Sequence, residues 1–435
     1  MMKVAFYTLG CRVNMYETEA MAEKFIKDGY TVVTFDEKAD VYIINTCTVT
    51  NTGDKKSRQM IRRAKHKNPN GVIAVVGCYS QISPNKVASI DGVDIVLGTR
   101  NKGDVVYYVN KFINEGKEIV NVGDVLKDNT FENLEIENYQ TKTRAFLKIQ
   151  DGCNQFCSYC LIPYARGAVC SKKPEDLIKE VKNLAQNKFK EIILSGINIS
   201  SYGKDLSGDW NLLKVLKSVN EIDGIERIRI GSIDPNFFTD ETIEEISKLN
   251  KMCRHFHISL QSGCDSTLNR MNRKYTTAQY KHVVQKLRDS MEGVSITTDI
   301  IVGFPKESDQ EFKETYEFLK DIKLSKMHIF RYSKRKGTKA ALMNEQIDEN
   351  TKEIRSHELI NLDEIYHKEF IQKFIGQKLR VLFEKEVHDK KEYFEGYSDN
   401  YIKVIARSDC DIKDKILDVK IIGIEGDYTI GEILN

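Results

Sequence analysis

The sequence predicts an α/β chain in three parts: an N-terminal parallel α/β domain (residues 1–125), a partial barrel of six strand–helix units (142–371) and a small C-terminal β-barrel (372–435). Three observations predict it. Apolar β-rich runs alternate with helix-spaced segments through the first part, the pattern of a parallel sheet covered on both faces. A longer series of six such units follows a polar, poorly periodic stretch at 126–141, which reads as a linker. The final residues lose helical periodicity and read as short strands with turns, hence a small barrel.

In the first part "KVAFYTL" precedes "YETEAMAEKFIKDGY", a helix ending near Gly29. "DVYIINT" precedes "DKKSRQMIRRAKHK", and "GVIAVVG" and "VDIVLGT" complete the run. In the second part the strands are "TRAFLKIQ", "KEIILSG", "ERIRIGS", "HFHISLQS", "SITTDIIVG" and "KMHIFRYS". Helices such as "PEDLIKEVKNLAQN" and "DQEFKETYEFLKDI" separate them. Six units fall short of the eight of a closed barrel. A helix is expected over 345–371, and "KLRVLFEKE" opens the last part.

With 435 residues, two or three domains are expected rather than one core. A content of 41 % apolar and 30 % charged residues allows sizeable cores under a soluble surface. No apolar run approaches the roughly 18 residues of a membrane span. The start lacks the pattern of a signal peptide, so a cytoplasmic protein with no membrane partner is expected. Net charge is +2, so any nucleic-acid signal must be local.

The ten cysteines of such a chain are not expected to form disulfides. Cys153, Cys157 and Cys160 form C-x3-C-x2-C directly after the first barrel strand. Three thiolates on one loop can hold three irons of a cubane and leave the fourth iron open to a small molecule. A zinc knuckle or a set of redox thiols is the alternative, but zinc asks for four ligands and no fourth is evident nearby. Cys11, Cys47 and Cys78 each follow an inferred strand of the first part. Strand C-termini share one edge of a parallel sheet, the usual ligand edge, so thiols 36 and 31 residues apart can meet there. A lone buried cysteine is commonly a small apolar residue; three on three strands argue for a shared site, again with an open iron. Cys170, Cys253, Cys264 and Cys410 read as non-ligand thiols.

C-x3-C-x2-C on the first loop of an incomplete barrel resembles the radical S-adenosylmethionine (SAM) superfamily. The resemblance implies that the open iron chelates the methionyl group of SAM and that cleavage yields a 5′-deoxyadenosyl radical. It also implies that Tyr159 lies beside the adenine, that Ser195, Gly196 and Asn198 of "LSGINISSYG" contact the cofactor, and that Asp299 of "TDIIVGFP" lies near it. Ordinary strand-to-helix turns also favour such Gly and Asn residues. "TLGCRVNMYETE", "NTCTVTNTGDKKSRQMIRR", "VVGCYSQ", "RAFLKIQDGCNQFCSYCLIPYARG", "SLQSGCDSTLNRMNRKYT" and "DIIVGFPKES" resemble the methylthiotransferases over nearly the whole chain. That family carries two 4Fe-4S clusters and ends in an RNA-binding TRAM domain.

Of its branches, "LGCRVN" with "YETE" and "NTCTVTN" most resembles the one acting on N6-threonylcarbamoyladenosine at tRNA position 37, in the anticodon loop. The others modify isopentenyl-adenosine in tRNA or a ribosomal-protein aspartate, and read more like "GCQMN" or "GCPKN" here. What the resemblance implies is hydrogen abstraction from adenine C2 at the Cys153, Cys157 and Cys160 cluster. Sulfur is then inserted from the cluster on Cys11, Cys47 and Cys78. An electron donor such as a flavodoxin or ferredoxin and an unspecified sulfur source complete the requirements. Ala168, Cys170, Cys264 and Lys306 depart from the family's common residues.

RNA contact can be weighed on charge. "DKKSRQMIRRAKHK" carries seven Lys or Arg against one Asp, with Lys55, Lys56, Arg58, Arg62 and Arg63 as candidates. "RYSKRKGTK" carries five, among them Arg331, Lys334 and Arg335. A solvated basic helix face is the plainer alternative. From residue 372 on there are 11 Lys/Arg against 13 Asp/Glu, so contact there falls to a small patch or to aromatics such as Tyr393, Phe394, Tyr397 and Tyr401, most of them expected in the core. A non-enzymatic, zinc-stabilised RNA-binding protein is the competing class.

Overall fold

Consecutive rather than alternating apolar residues mark the first strands, and both faces are buried in the computed structural model. It describes residues 1–128, 130–136, 143–388, 390–426 and 428–434. The strands are β1 (Lys3–Thr8), β2 (Thr31–Val33), β3 (Val41–Thr46), β4 (Val72–Gly77), β5 (Ile95–Leu97) and β6 (Ile119–Asn121). They form one sheet in the order β2-β1-β3-β4-β5-β6, every pair parallel. Along β3, Val41 and Ile43 meet Met21 and Phe25 of helix α1 (Arg12–Lys27). Tyr42 and Ile44 face the other way, onto Met60, Ile61 and Ala64 of α2 (Asn51–Lys67). The strand order reverses between β1 and β3, so the crevice favoured for ligands opens where Cys11 and Cys47 leave the sheet. Cys78 opens the short helix α3 (Cys78–Ile82).

The second part holds β7 (Arg144–Lys148), the hairpin β8 (Gln150–Asp151) and β9 (Cys170–Ser171), then β10 (Glu191–Ser195), β11 (Arg227–Ile230), β12 (His255–His257), β13 (Ser295–Val302) and β14 (Lys326–Arg331). Leaving the hairpin aside, these are the six expected strands. β7, β10 and β11 pair in parallel, as do β12, β13 and β14. Single bridges Ile228–Met252 and Ile233–Ile258 join the two halves. Helices cover the outside, and α1 packs along the free edge at β7. The expected helix at 345–371 is Glu349–Gln372.

β15 (Lys378–Glu386), β16 (Tyr393–Ser398), β17 (Lys403–Arg407), β18 (Ile416–Glu425) and β19 (Tyr428–Ile433) close a barrel in the order β15-β16-β17-β19-β18. It is docked under the strand starts of the partial barrel. Arg227 donates to the Tyr397 carbonyl at 3.0 Å, Arg229 to the Asp399 carbonyl at 3.2 Å, and Arg254 to the Asp399 carboxylate at 2.7 Å. Tyr397 and Tyr401 stack at 4.8 Å, and Tyr401 stacks on His255 at 4.6 Å. These two aromatics are therefore committed to a domain interface, and Phe394 to the barrel core.

The expected linker needs correction in its described residues. Leu134 and Ile136 are buried with Tyr16 and Ala20 of α1, so this segment straps the first part to the second. Residues 137–142 of that stretch lie outside the described residues. Among the described residues no helix is long and apolar enough to cross a membrane.

Candidate functional site

The loop after β8 carries Cys153, Cys157 and Cys160 and is fixed from several sides. Cys153 N–H donates to the Gly167 carbonyl, and Ser158 N–H to the Met271 carbonyl, both at 3.0 Å. Polar donors converge on all three sulfurs. Gln155 N–H lies 3.5 Å and Asn198 Nδ2 3.8 Å from Cys153 Sγ; Arg273 Nη1 lies 3.3 Å from Cys157 Sγ; Ile162 N–H lies 3.4 Å from Cys160 Sγ. Donors aimed at sulfur are what a thiolate-held iron–sulfur cluster needs, and they tune its potential. Burial pushes the Cys160 thiol up to about 12 and Cys153 upward, so taking up iron here means shedding protons.

The N-terminal thiols meet at one edge of their sheet. Gly10 and Gly77, each at positive φ (+99° and +100°), turn Cys11 and Cys78 over the ends of β1 and β4. A Cβ on Gly10 would stand 2.8 Å from Cys47 Cβ and 3.0 Å from its sulfur. Asn14 laces the loops by donating to the carbonyls of Leu9 (2.7 Å) and Thr46 (3.0 Å). Burial, then the nearby Cys78, pushes Cys47 up to about 12; burial also raises Cys11, with Arg166 opposing and Cys78 reinforcing. Both thiol sets thus fit cubane ligation. Among the described residues no three His, Cys, Asp or Glu side chains gather at single-ion spacing.

Arg166, at the end of the short helix Ile162–Arg166, joins the two sets. It is fully buried. Its Nε donates to Cys78 Sγ at 3.3 Å, Nη1 to Glu17 at 2.5 Å and Asp151 at 3.1 Å, and Nη2 to Asn14 at 2.5 Å. Lys148 bridges Glu17 (3.0 Å) and Asp151 (2.7 Å), Lys102 also pairs with Glu17, and Arg100 lies 3.7 Å from Asp151. Two carboxylates are thus shared by four cations, beside a third, Glu132, whose carboxyl burial pushes up. Such an excess suits anionic thiolates. Sequence reasoning missed this network. Its signal was charge inside an apolar strand, Lys148 and Asp151 in "RAFLKIQDG".

One cleft of 690 Å³ lies inside the partial barrel, a size suited to a nucleoside. Cys11 and Arg12 form one wall, Ser195 and Gly196 another, Asp299 a third, and Tyr401 the floor. Cys11 is exposed and lines this cleft. Asp299 lies 3.3 Å from His257 Nε2. Asn198 turns away, toward Cys153 and Ser201. Tyr159 is half-buried against Phe304.

The two basic segments meet on the surface. Asn51, at the start of α2, donates to the Lys334 carbonyl at 3.1 Å. Lys55, Lys56, Arg62, Arg331 and Lys334 are exposed; Arg63 pairs with Asp36, and Arg58 donates to the Tyr79 hydroxyl at 3.3 Å. Arg335 departs from expectation. It is buried, bonded to Asn51 (2.6 Å), Thr48 (2.7 Å) and Asp54 (2.8 Å), and braces the loop after Cys47. Cys170, Cys253 and Cys264 are buried apart from both sets, and Cys410 is exposed.

Comparison with known proteins agrees with this architecture. Residues 147–319 match the radical SAM superfamily, and residues 3–98 match the uncharacterized protein family UPF0004. The chain is 45 % identical over 437 residues to the threonylcarbamoyladenosine tRNA methylthiotransferase MtaB of Bacillus subtilis, covering 100 % of this chain and 97 % of that one. Its counterpart in Aquifex aeolicus is 43 % identical (88 % and 93 %). The tRNA-2-methylthio-N(6)-dimethylallyladenosine synthase of Clostridium tetani is 36 % identical (95 % and 92 %). In fold, the chain resembles the radical SAM methyltransferase TsrM of Kitasatospora setae, with TM-score 0.57 at 12 % identity over 76 % of this chain and 75 % of that one. The chain belongs to the radical SAM tRNA methylthiotransferases, of the MtaB type.

Proposed function

We propose that the protein places a methylthio group on C2 of N6-threonylcarbamoyladenosine at position 37 of tRNA. Cys153, Cys157 and Cys160 would hold the cluster that binds SAM; Cys11, Cys47 and Cys78 would hold a second 4Fe-4S cluster. When bound, these groups would supply a radical able to take hydrogen from carbon and the sulfur that replaces it, with a further SAM molecule supplying the methyl group. An adenine C2–H has no useful acidity, so no side chain acting as a general base would serve instead.

The observation that carries this reading is the shared cleft: Cys11 opens into the same cavity as Ser195 and Gly196. The chain's own part is to position and to shield. Arg273, Asn198 and backbone N–H groups orient the Cys153–Cys160 sulfurs. Arg166 ties that loop to Cys78 and so fixes one thiol set against the other. Tyr401 lines the cavity floor and would help to shield it. Ser195, Gly196, Tyr159 and Asp299 are the candidates for SAM contact. Lys55, Lys56, Arg62, Arg331 and Lys334 form the exposed surface for the anticodon-loop phosphates. A one-electron donor such as a flavodoxin or ferredoxin would reduce the first cluster.

The test is incubation of reconstituted enzyme, SAM and reductant with tRNA carrying threonylcarbamoyladenosine, isopentenyl-adenosine or plain adenosine. Methylthiolation of the first alone supports the reading; modification of the second instead would transfer it to the other tRNA branch.

A further inference from the structure

The barrel cleft contains a cation that none of the described residues pairs with. Arg12 follows Cys11 and lines the cavity, its guanidinium over the Phe146 ring at 5.9 Å. The lysines on the wall are matched, Lys326 with Asp363 at 2.6 Å and Lys403 with Glu395 at 2.9 Å, and Asp299 lies against the His257 ring at 3.3 Å. Arg12 has no ion pair or hydrogen bond among the described residues. The carboxylate nearest in influence is Glu191, in company with Arg144, Arg229 and Tyr401. Glu191 is already committed to Arg229 at 2.9 Å, Arg227 at 3.4 Å and Arg144 at 3.9 Å. Arg12 thus stands on the cleft wall beside the Phe146 ring and Tyr401 as a cation without an ion-pair partner among the described residues.

Such a site asks for an anion, and a planar fork suits a carboxylate. We propose that Arg12 receives the threonyl carboxylate of the N6 substituent and so selects the anionic adenosine over neutral ones. This rests on the threonylcarbamoyl reading above. Only N1 separates C2 from C6 in adenine. A base whose C2 is offered to the Cys11 side of the cleft therefore carries its N6 substituent along the adjoining ring edge. The residue next to Cys11 in the chain is placed to meet it. The wall histidines His257 and His328 face each other at 5.7 Å.

The test is equilibrium binding of anticodon stem-loop RNAs to the anaerobically reconstituted enzyme. The target position carries threonylcarbamoyladenosine, its neutral carboxamide, or plain adenosine. Wild type should bind the carboxylate form about 10- to 100-fold more tightly than the carboxamide. Arg12→Gln should bind both alike, and Arg12→Lys should keep part of the difference. Iron content of each variant checks that Cys11 still serves. Because the carboxamide probes wild type directly, the proposal stays falsifiable if a variant misfolds. Equal binding of the two RNAs by wild type, or undiminished discrimination by Arg12→Gln, overturns it. If Arg12→Gln instead weakens SAM binding without RNA, the anion read is the cofactor's and the proposal fails. Methylthiolation of the threonylcarbamoyl RNA by wild type separates the two readings. Turnover without discrimination removes Arg12's role alone, whereas turnover only on another adenosine removes the substrate reading as well.

Discussion

Replacing Arg166 by Met keeps an unbranched stem and deletes the guanidinium at the junction of the two thiol sets. Five polar contacts disappear: two to Glu17, and one each to Asp151, Asn14 and Cys78. All lie in fully buried surroundings, where removing one partner of an ion pair costs about 3–5 kcal/mol. The lower end applies, since Glu17 keeps Lys102 and Lys148, and Asp151 keeps Lys148 and Arg100. A loss of about 3 kcal/mol is expected, with coupling to Glu17→Gln of about 2 kcal/mol. Burial opposes the Glu17 charge, but Arg166, Lys102 and Lys148 overcome it and hold its carboxyl well below the usual range. The stabilisation is thus complete above the ordinary carboxylate pKa and is lost as pH falls through the folded value, so the assay belongs near neutrality. Urea denaturation of the reduced full chain, run as a double-mutant cycle, measures both quantities. A single-variant loss below about 1 kcal/mol with negligible coupling would refute the view that Arg166 locks the domains together.

Gly10→Ala places a Cβ against Cys47, so the N-terminal set should lose its iron; total iron should fall by about half while SAM-dependent absorbance changes of the Cys153 set persist. Replacing Lys55, Lys56 and Arg62 by Gln should weaken tRNA binding and shallow the slope of log affinity against log salt by about 2 to 3, and an unchanged slope would remove α2 from the RNA surface. Burial pushes the Glu307 carboxyl up to about 6, against the Phe304 N–H and Arg355 that favour its charge. The unfolded chain releases this proton first, so the advantage of wild type over Glu307→Gln should shrink by about 2 kcal/mol as pH rises from about 4.5 to 6, then stay level. Parallel pH curves for the two proteins would contradict that assignment.

Much of the fold is legible because its strands are long and buried on both faces. β3, β4, β10 and β13 carry their apolar runs openly, and the helices between them carry the helical spacing. β2 and β6 are three residues each and partly exposed, so they lack enough apolar residues to show a period. The strap fails differently. Leu134 and Ile136 are buried by α1, a partner more than 100 residues away, and nothing local marks them as core. The Cys153–Cys160 loop reads from spacing; Cys11, Cys47 and Cys78 read only once the parallel sheet is assumed. Arg335 and Tyr401 show the limit. A basic run and an aromatic are assigned by chemistry, but domain docking decides that one braces the Cys47 loop and the other floors the cleft. Arg12 was legible only as part of a motif, and its role depends on the cavity it enters.

The most direct measurement is mass analysis of tRNA nucleosides after anaerobic incubation of the iron-reconstituted protein with SAM and a reductant. Wild type should convert threonylcarbamoyladenosine to its 2-methylthio product. Cys153→Ala should lose both SAM cleavage and product. Cys47→Ala should retain some SAM cleavage without inserting sulfur. Product formed by Cys47→Ala at the wild-type rate would contradict the second cluster, and with it the claim that both thiol sets serve one cleft.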